Sequence, residues 1–129
     1  MANPANLTIT PLAANGAVLQ PAVQTLDTNG NIEIVGVGSM TDRLIIEAIN
    51  TDNAAATLTF QAGDNPPSHR PIPLVVALAA TGDGGGADKK IIGPFEAARF
   101  VKADGNMDVT LDGTTPTVTL RIYRLPKQV

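Results

Sequence analysis

The residues that could carry out catalysis are few in this sequence, and they are poorly placed for it. There is one histidine, His69, directly after Ser68, and there is no cysteine. A nucleophile and its general base must face each other, which two neighbours in sequence cannot do by themselves, and no Gly-x-Ser-x-Gly turn is present. One imidazole without thiolates also cannot build the common zinc or iron centres. We therefore predict a chain that is not an enzyme, with no catalytic, cofactor-binding or metal-binding residues and with His69 on an exposed loop or against a partner.

A glycine-rich segment has the composition of an anion-binding loop. Residues 83–90 read DGGGADKK, and backbone of this kind can present N–H groups to an anion. The segment lacks the Gly-Lys-Ser/Thr ending of a phosphate loop, leads into a predicted strand, and contains two aspartates that would repel phosphate. We interpret residues 81–88 as the flexible tip of a hairpin.

A second segment has oxygen-bearing side chains at alternate positions, as a calcium loop does. These are Asp104, Asn106 and Asp108. The sixth position of the loop is Val109 where the geometry requires glycine, and the twelfth is Thr115 where a bidentate glutamate is needed. We interpret the segment as a solvated Asp-Gly turn.

Glu47 is the acidic residue of an otherwise apolar segment, RLIIEAIN, at residues 43–50. Arg43 is four residues away and would share a face with Glu47 in a strand. Because the sequence places no second carboxylate opposite Glu47, we predict a solvent-facing pair of Glu47 and Arg43.

The charges are weak and unevenly distributed. The formal net charge is −3, and residues 1–42 contain three acids but no Lys or Arg. The remaining chain holds nine bases interspersed with nine acids. Since nucleic-acid binders cluster their bases on one face, we expect no nucleic-acid partner.

The sequence predicts a soluble protein that is neither exported nor bound to a membrane. Residues 1–5 are uncharged, whereas a signal peptide begins with basic residues and continues with roughly 7–15 apolar ones. The longest apolar run, residues 71–80, is half of the ~20 residues that span a bilayer.

The spacing of the 12 glycines and 10 prolines favours short strands over helices. Within the strand at 56–60, Leu58 and Phe60 should face one side and Thr57 and Thr59 the other. Asn29-Gly30 and residues 51–55 predict hairpin connections, and residues 95–98 a single helical turn. The predicted strands are residues 7–10, 17–19, 23–26, 32–37, 43–50, 56–60, 74–80, 89–92, 99–102, 107–111 and 117–125. We predict an all-β fold, a single antiparallel β-sandwich of the jelly-roll or immunoglobulin type, with Phe95 and Phe100 in its core.

The N-terminal residues differ in composition from the rest. Residues 1–24 are uncharged and are broken by Pro4, Pro11 and Pro21. They could form an arm that docks on a neighbouring subunit by strand addition, or an edge strand of the chain's own sandwich. We therefore divide the chain into residues 1–16, an extended arm or edge strand, and residues 17–129, the β-sandwich domain.

Short motifs give the chain a resemblance to a known family. They are IGPF at 92–95, ARF at 98–100, ADG at 103–105, VTLRIYRL at 118–125 and DNAAATLT at 52–59. With them, residues 17–126 resemble the capsid decoration, or cement, proteins of tailed bacteriophages. The chain departs from the family at residues 81–88, where a tighter turn is expected.

The resemblance implies a viral structural protein of the virion that is made in the host cytoplasm. It would bind the outer surface of the phage head and stabilise the shell of major capsid protein, as a homo-oligomer with a trimer favoured, and it would need no cofactor. The expected contact residues are the uncharged N-terminal stretch and the loop at 65–73.

Two other functions are compatible with a β-sandwich. One is a carbohydrate- or receptor-binding module of a phage tail or adhesin, although the chain has no Trp and one Tyr for stacking against sugars. The other is a hydrolase of low activity, which a single histidine disfavours.

Overall fold

The computed structural model describes residues 3–4, 6–38, 43–63, 72–82, 86–95, 97–114 and 116–126. Within these ranges it contains ten strands in two sheets and one helical turn, so the predicted all-β sandwich is confirmed. In chain order the elements are β1 (Asn6–Leu7), β2 (Thr10–Pro11), β3 (Gln24–Leu26), β4 (Gly30–Ile34), β5 (Leu44–Asn50), β6 (Ala56–Phe60), β7 (Leu74–Leu78), β8 (Lys89–Ile92), α1 (Ala97–Phe100), β9 (Met107–Gly113) and β10 (Val118–Arg124).

The two sheets have five strands each. The first has the order β1-β4-β9-β6-β7, and the second has the order β2-β10-β5-β8, with β3 also paired to β10. Most neighbouring strands are antiparallel, but β1 runs parallel to β4 and β2 runs parallel to β10. The N-terminal residues thus add one short parallel strand to each sheet, which makes both sheets mixed.

One hydrophobic core fills the space between the sheets. Leu58 and Phe60 point into it while Thr57 and Thr59 point outward, as predicted. The largest fully buried side chains are Phe60, Leu7, Leu26, Ile34, Leu44, Ile46, Leu58, Leu78, Met107, Leu111, Leu120 and Ile122. Aliphatic side chains therefore form most of the core of this aromatic-poor chain.

The hairpins predicted at Asn29-Gly30 and at residues 51–55 do not form. Asn29 precedes β4, which begins at Gly30 and pairs with β9 in the first sheet, whereas β3 pairs with β10 in the second. Residues 51–55 likewise connect β5 in the second sheet to β6 in the first. Turn residues favour a change of chain direction, whereas a strand that buries one face can pack in either of two facing sheets. The hairpin predictions were therefore wrong about strand pairing.

The strands predicted at residues 17–19 and 99–102 are also wrong, because residues 17–19 lie in the connection between β2 and β3 and residues 99–100 belong to α1. This turn places Phe100 against Phe95, with ring centroids 5.3 Å apart, and Phe95 is 5.2 Å from Phe60. An extended segment, which advances about 3.3 Å per residue, would carry Phe100 away from Phe95. Both side chains are buried, and their predicted place in the core is confirmed.

The N-terminal residues pair within the chain's own sandwich. Leu7 is fully buried in β1. The Gln24 side chain accepts a hydrogen bond from the Thr8 N–H at 2.8 Å and donates one to the Thr8 carbonyl at 3.0 Å. The Asn3 carbonyl oxygen Oδ1 accepts from the N–H groups of Asp27 and Thr28. These contacts and the pairing of β1 and β2 tie the described residues of this stretch to the two sheets.

Candidate interaction surface

Residues 13–23, here called the exposed loop, connect β2 to β3 along one edge of the second sheet. Every residue in the loop except Pro21 is exposed, and none is charged. Leu19 has 92% of its surface exposed, and Val18 and Val23 are also exposed. The loop therefore presents apolar side chains on a surface that carries no charge.

Strand β10 holds both ends of the exposed loop. At its start, the Leu12 N–H donates to the Arg124 carbonyl at 2.8 Å. At its end, Arg121 Nε donates to the Pro21 carbonyl at 3.1 Å. A loop tied at both ends to a central strand loses less conformational freedom on binding than a free arm would lose.

Arg121 is oriented by an ion pair across the second sheet. Its Nη1 lies 3.2 Å from Glu47 Oε1, and the two residues face each other in the register of β10 and β5. The prediction that Arg43 would pair with Glu47 is therefore wrong. Directly opposite residues on neighbouring strands lie closer than residues four apart on one strand, where the chain is extended.

A second set of exposed apolar residues lies near the opposite edge of the sandwich. Ile72 and Val75 are each 61% exposed, and Ile91 on the edge strand β8 is 74% exposed. The predicted contact loop at residues 65–73 begins this region, but Ser68, His69 and the rest of residues 65–71 lie outside the described residues.

A shallow depression of about 270 Å³ lies beside β8 on the second sheet. Its lining consists of Glu47, Ile49, Lys89, Lys90 and Ile91. Among these side chains are two amines and two aliphatic groups, but no nucleophile with an adjacent general base. The fifth lining side chain is the carboxylate of Glu47, so the depression combines aliphatic groups with charges of both signs.

Lys102 forms ion pairs with acidic side chains of the segment that resembles a calcium loop. Lys102 Nζ lies 3.1 Å from Asp108, 3.3 Å from Glu33 and 3.8 Å from Asp104. A hydrogen bond to the Asp108 carboxylate, with a smaller contribution from Glu33, raises the pKa of Lys102 above its ordinary value against the opposing effect of burial. Among the described residues, no group of three or more acidic or histidine side chains could hold a metal ion.

The glycine-rich segment does not form the tip of a hairpin, because β7 and β8 belong to different sheets. Residues 83–85 lie outside the described part of the chain. On either side of them, the Ala79 N–H donates to the Ala87 carbonyl at 3.1 Å, and the Asn50 N–H donates to the Asp88 carbonyl at 2.8 Å. The segment thus connects the two sheets at one end of the sandwich.

Asn50 is a structural residue that the sequence reasoning missed. It is completely buried, and its Nδ2 donates to the carbonyls of Ala54 at 2.8 Å and Ala79 at 2.9 Å. Its Oδ1 accepts from the Asp52 N–H at 3.0 Å. The signal that could have revealed it is an amide at an inward-facing position of the alternating strand β5.

The aromatic side chains contribute little to the described surface. The three phenylalanines are buried, and Tyr123 is half-buried. The described residues therefore offer no exposed cluster of rings on which a sugar could stack.

Comparisons with protein-family models, with curated proteins and with solved structures find no match to this chain. No helix among the described residues is both long and apolar enough to cross a lipid bilayer.

Proposed function

We propose that this protein is a capsid decoration protein that binds the outer surface of a phage head and stabilises the shell of major capsid protein. The family resemblance suggests the class of function. The structural observation that supports it is the exposed loop, an uncharged and largely exposed surface attached at both ends to a central strand of a two-sheet sandwich.

The chemistry of the exposed loop suits a permanent protein contact. Burial of apolar surface contributes about 25 cal/mol per Å² removed from water. Burial of an unpaired charge would oppose binding, and the loop has no charge to bury. Leu19, with 92% of its surface exposed, is the loop side chain that would bury the most apolar surface in a pocket of the partner.

The proposal extends to assembly and location. The protein acts on the virion after synthesis in the host cytoplasm, with the major capsid protein as partner and a homotrimer as its assembled form. A specific contact of this kind buries on the order of 1,200–2,000 Å² in total. The exposed residues near Ile72 and Val75 are a second candidate contact, next to the predicted loop at 65–73.

Co-sedimentation tests the proposal. The purified chain is mixed with undecorated shells assembled from the major capsid protein of the same genome, and the amount in the pellet is measured against chain concentration. Saturable binding is expected. Failure of the wild-type chain to sediment with these shells would overturn the proposed function.

Two matched variants locate the contact. Leu19→Ser should weaken shell binding by about tenfold or more, as loss of a central apolar contact does. Ile91→Ser alters an exposed apolar residue of the second candidate region, so weaker binding by this variant would place a second contact there and wild-type binding would confine the contact to the exposed loop. Equal binding by all three proteins would remove the exposed loop from the proposal.

The alternative of a carbohydrate-binding module has less support. The buried phenylalanines leave the described surface without a stacking platform. A glycan array run with the same protein decides between the two proposals, since specific glycan binding without shell binding would favour the alternative.

A further inference from the structure

The chain contains two Asn-Gly dipeptides, and this pair of residues is chemically labile. They are Asn15-Gly16 and Asn29-Gly30. In such a pair the backbone nitrogen of the glycine can attack the side-chain carbonyl carbon of the asparagine, because glycine has no β-carbon to hinder the approach. The reaction needs a free side-chain amide, a free glycine N–H and a backbone that can move.

Asn15-Gly16 meets these requirements in the folded protein. Both residues are exposed, and they lie in the turn at the start of the exposed loop. The Asn15 side chain and the Gly16 N–H make no hydrogen bond to any other described residue. The nearest strand residues, Pro11 and Gln24, lie several positions away on each side.

Asn29-Gly30 is held by the fold. Asn29 Nδ2 donates to the Gly113 carbonyl at 2.9 Å, which fixes the amide that would have to leave. Gly30 is the first residue of β4 and is paired with Leu111 of β9. Reaction at this site therefore requires local opening of the first sheet, with a free-energy cost that Asn15 does not have.

We propose that Asn15 is a site of spontaneous deamidation in the native protein. The Gly16 backbone nitrogen forms a bond to Asn15 Cγ and gives up its proton, and the Cγ–Nδ2 bond breaks so that ammonia leaves. Water then opens the resulting succinimide at one of its two carbonyls and gives aspartate or isoaspartate at position 15. One water is consumed, one ammonia is released, and no oxidant or cofactor is required.

The product changes the character of the surface on which it forms. Residues 1–26 contain no charged side chain, so a carboxylate at position 15 would be the first negative charge on the exposed loop. If the loop contacts a capsid shell, binding must remove the water around that carboxylate, which costs free energy, or leave that part of the contact unformed. This consequence rests on the proposed function, whereas the deamidation itself does not.

Peptide mapping by mass spectrometry tests the chemistry. The folded full-length protein is incubated at mildly alkaline pH, and fragment ions assign the mass gain of each amide-to-acid conversion to position 15 or 29. In the folded protein the reaction at position 15 should be faster by about tenfold or more, because position 29 must first open. In denaturant the two rates should become similar.

Gly16→Ala is the matched variant. Its β-carbon would make ordinary contacts with the Ala13 β-carbon at 3.4 Å and the Ala14 carbonyl oxygen at 3.6 Å, so the fold should tolerate it while the attack is hindered. Loss of the mass gain at position 15 is expected. Equal rates at the two sites in the folded protein, or an unchanged rate in Gly16→Ala, would overturn the proposal.

Shell sedimentation tests the consequence separately. Asn15→Asp should bind undecorated shells several-fold more weakly than Asn15→Gly, which introduces no charge and suits the positive φ of 53° at this position. Equal binding would refute the effect on binding and leave the measured deamidation standing. Failure of the wild type itself to bind would refute the proposed function instead.

Discussion

Gly63 lies against the backbone of Val101 so closely that a β-carbon at position 63 would overlap the Val101 carbonyl group. The Gly63 N–H also donates to the Arg99 carbonyl at 2.7 Å. This contact joins the end of β6 to the chain that leaves α1, where Phe100 enters the core.

Gly63→Ala should therefore destabilise the protein. The added methyl group meets backbone, which cannot rotate away, so the expected loss is about 1–3 kcal/mol of unfolding free energy. Urea denaturation measures it, with Gly16→Ala as the control that should stay within about 0.5 kcal/mol of the wild type. A wild-type midpoint for Gly63→Ala would show that the two segments separate easily.

Leu7→Ala should also be strongly destabilising, although Leu7 lies near the N-terminus in a strand of two residues. The side chain is fully buried between the sheets, and truncation of such a leucine costs about 2–5 kcal/mol. Thermal unfolding compares it with Leu19→Ala, which alters an exposed leucine and should leave the melting temperature unchanged. Similar melting temperatures for both variants would mean that β1 contributes nothing to stability.

Asn50→Leu should destabilise the protein more than the similar volumes of the two side chains suggest. The substitution leaves the carbonyls of Ala54 and Ala79 and the Asp52 N–H without their partner in a partly buried place. Each unsatisfied buried group costs about 1–3 kcal/mol, so we expect a partly unfolded protein in circular dichroism. Asn53→Ala, at an exposed position in the next connection, is the control and should fold normally.

The contribution of Lys102 to the free energy of unfolding should decrease at alkaline pH. Its contacts with Asp108 and Glu33 raise the pKa of Lys102 in the folded protein. The charged side chain therefore contributes its full share to the free energy of unfolding below the unfolded-state pKa of about 10.4, and this share is lost as the pH rises through the folded-state pKa. The difference in unfolding free energy between the wild type and Lys102→Met should thus be constant at neutral pH and shrink above about pH 10.4. A constant difference for Lys102→Met across this range would contradict the prediction.

Much of the fold could be predicted from short-range patterns. The alternation in β6 and β10 shows which side chains face inward, because successive residues of a strand point to opposite sides. The burial of Phe95 and Phe100 was also predicted correctly, because an isolated apolar ring is usually buried. These features depend on a few neighbouring residues, which the sequence displays directly.

Features that depend on distant residues could not be predicted. The partner of Glu47 is Arg121, 74 positions away, and nothing near either residue indicates the other. The assignment of β3 and β4 to different sheets likewise depends on β9 and β10. For the candidate surface, the lack of charge in residues 1–24 was visible, but the two bonds that tie the exposed loop to β10 were not.

Because β2 and β3 pair with β10, they cannot join the second sheet until β10 has been synthesised. β2 and β3 both pair with β10, and the bond from Arg121 to Pro21 joins residues 100 positions apart. The uncharged residues of β2 and β3 leave the ribosome well before β10, so they have no β10 partner until residues 118–124 emerge. Throughout that interval β2 and β3 lack their hydrogen-bonding partner, and unpaired strands of this kind promote association between nascent chains.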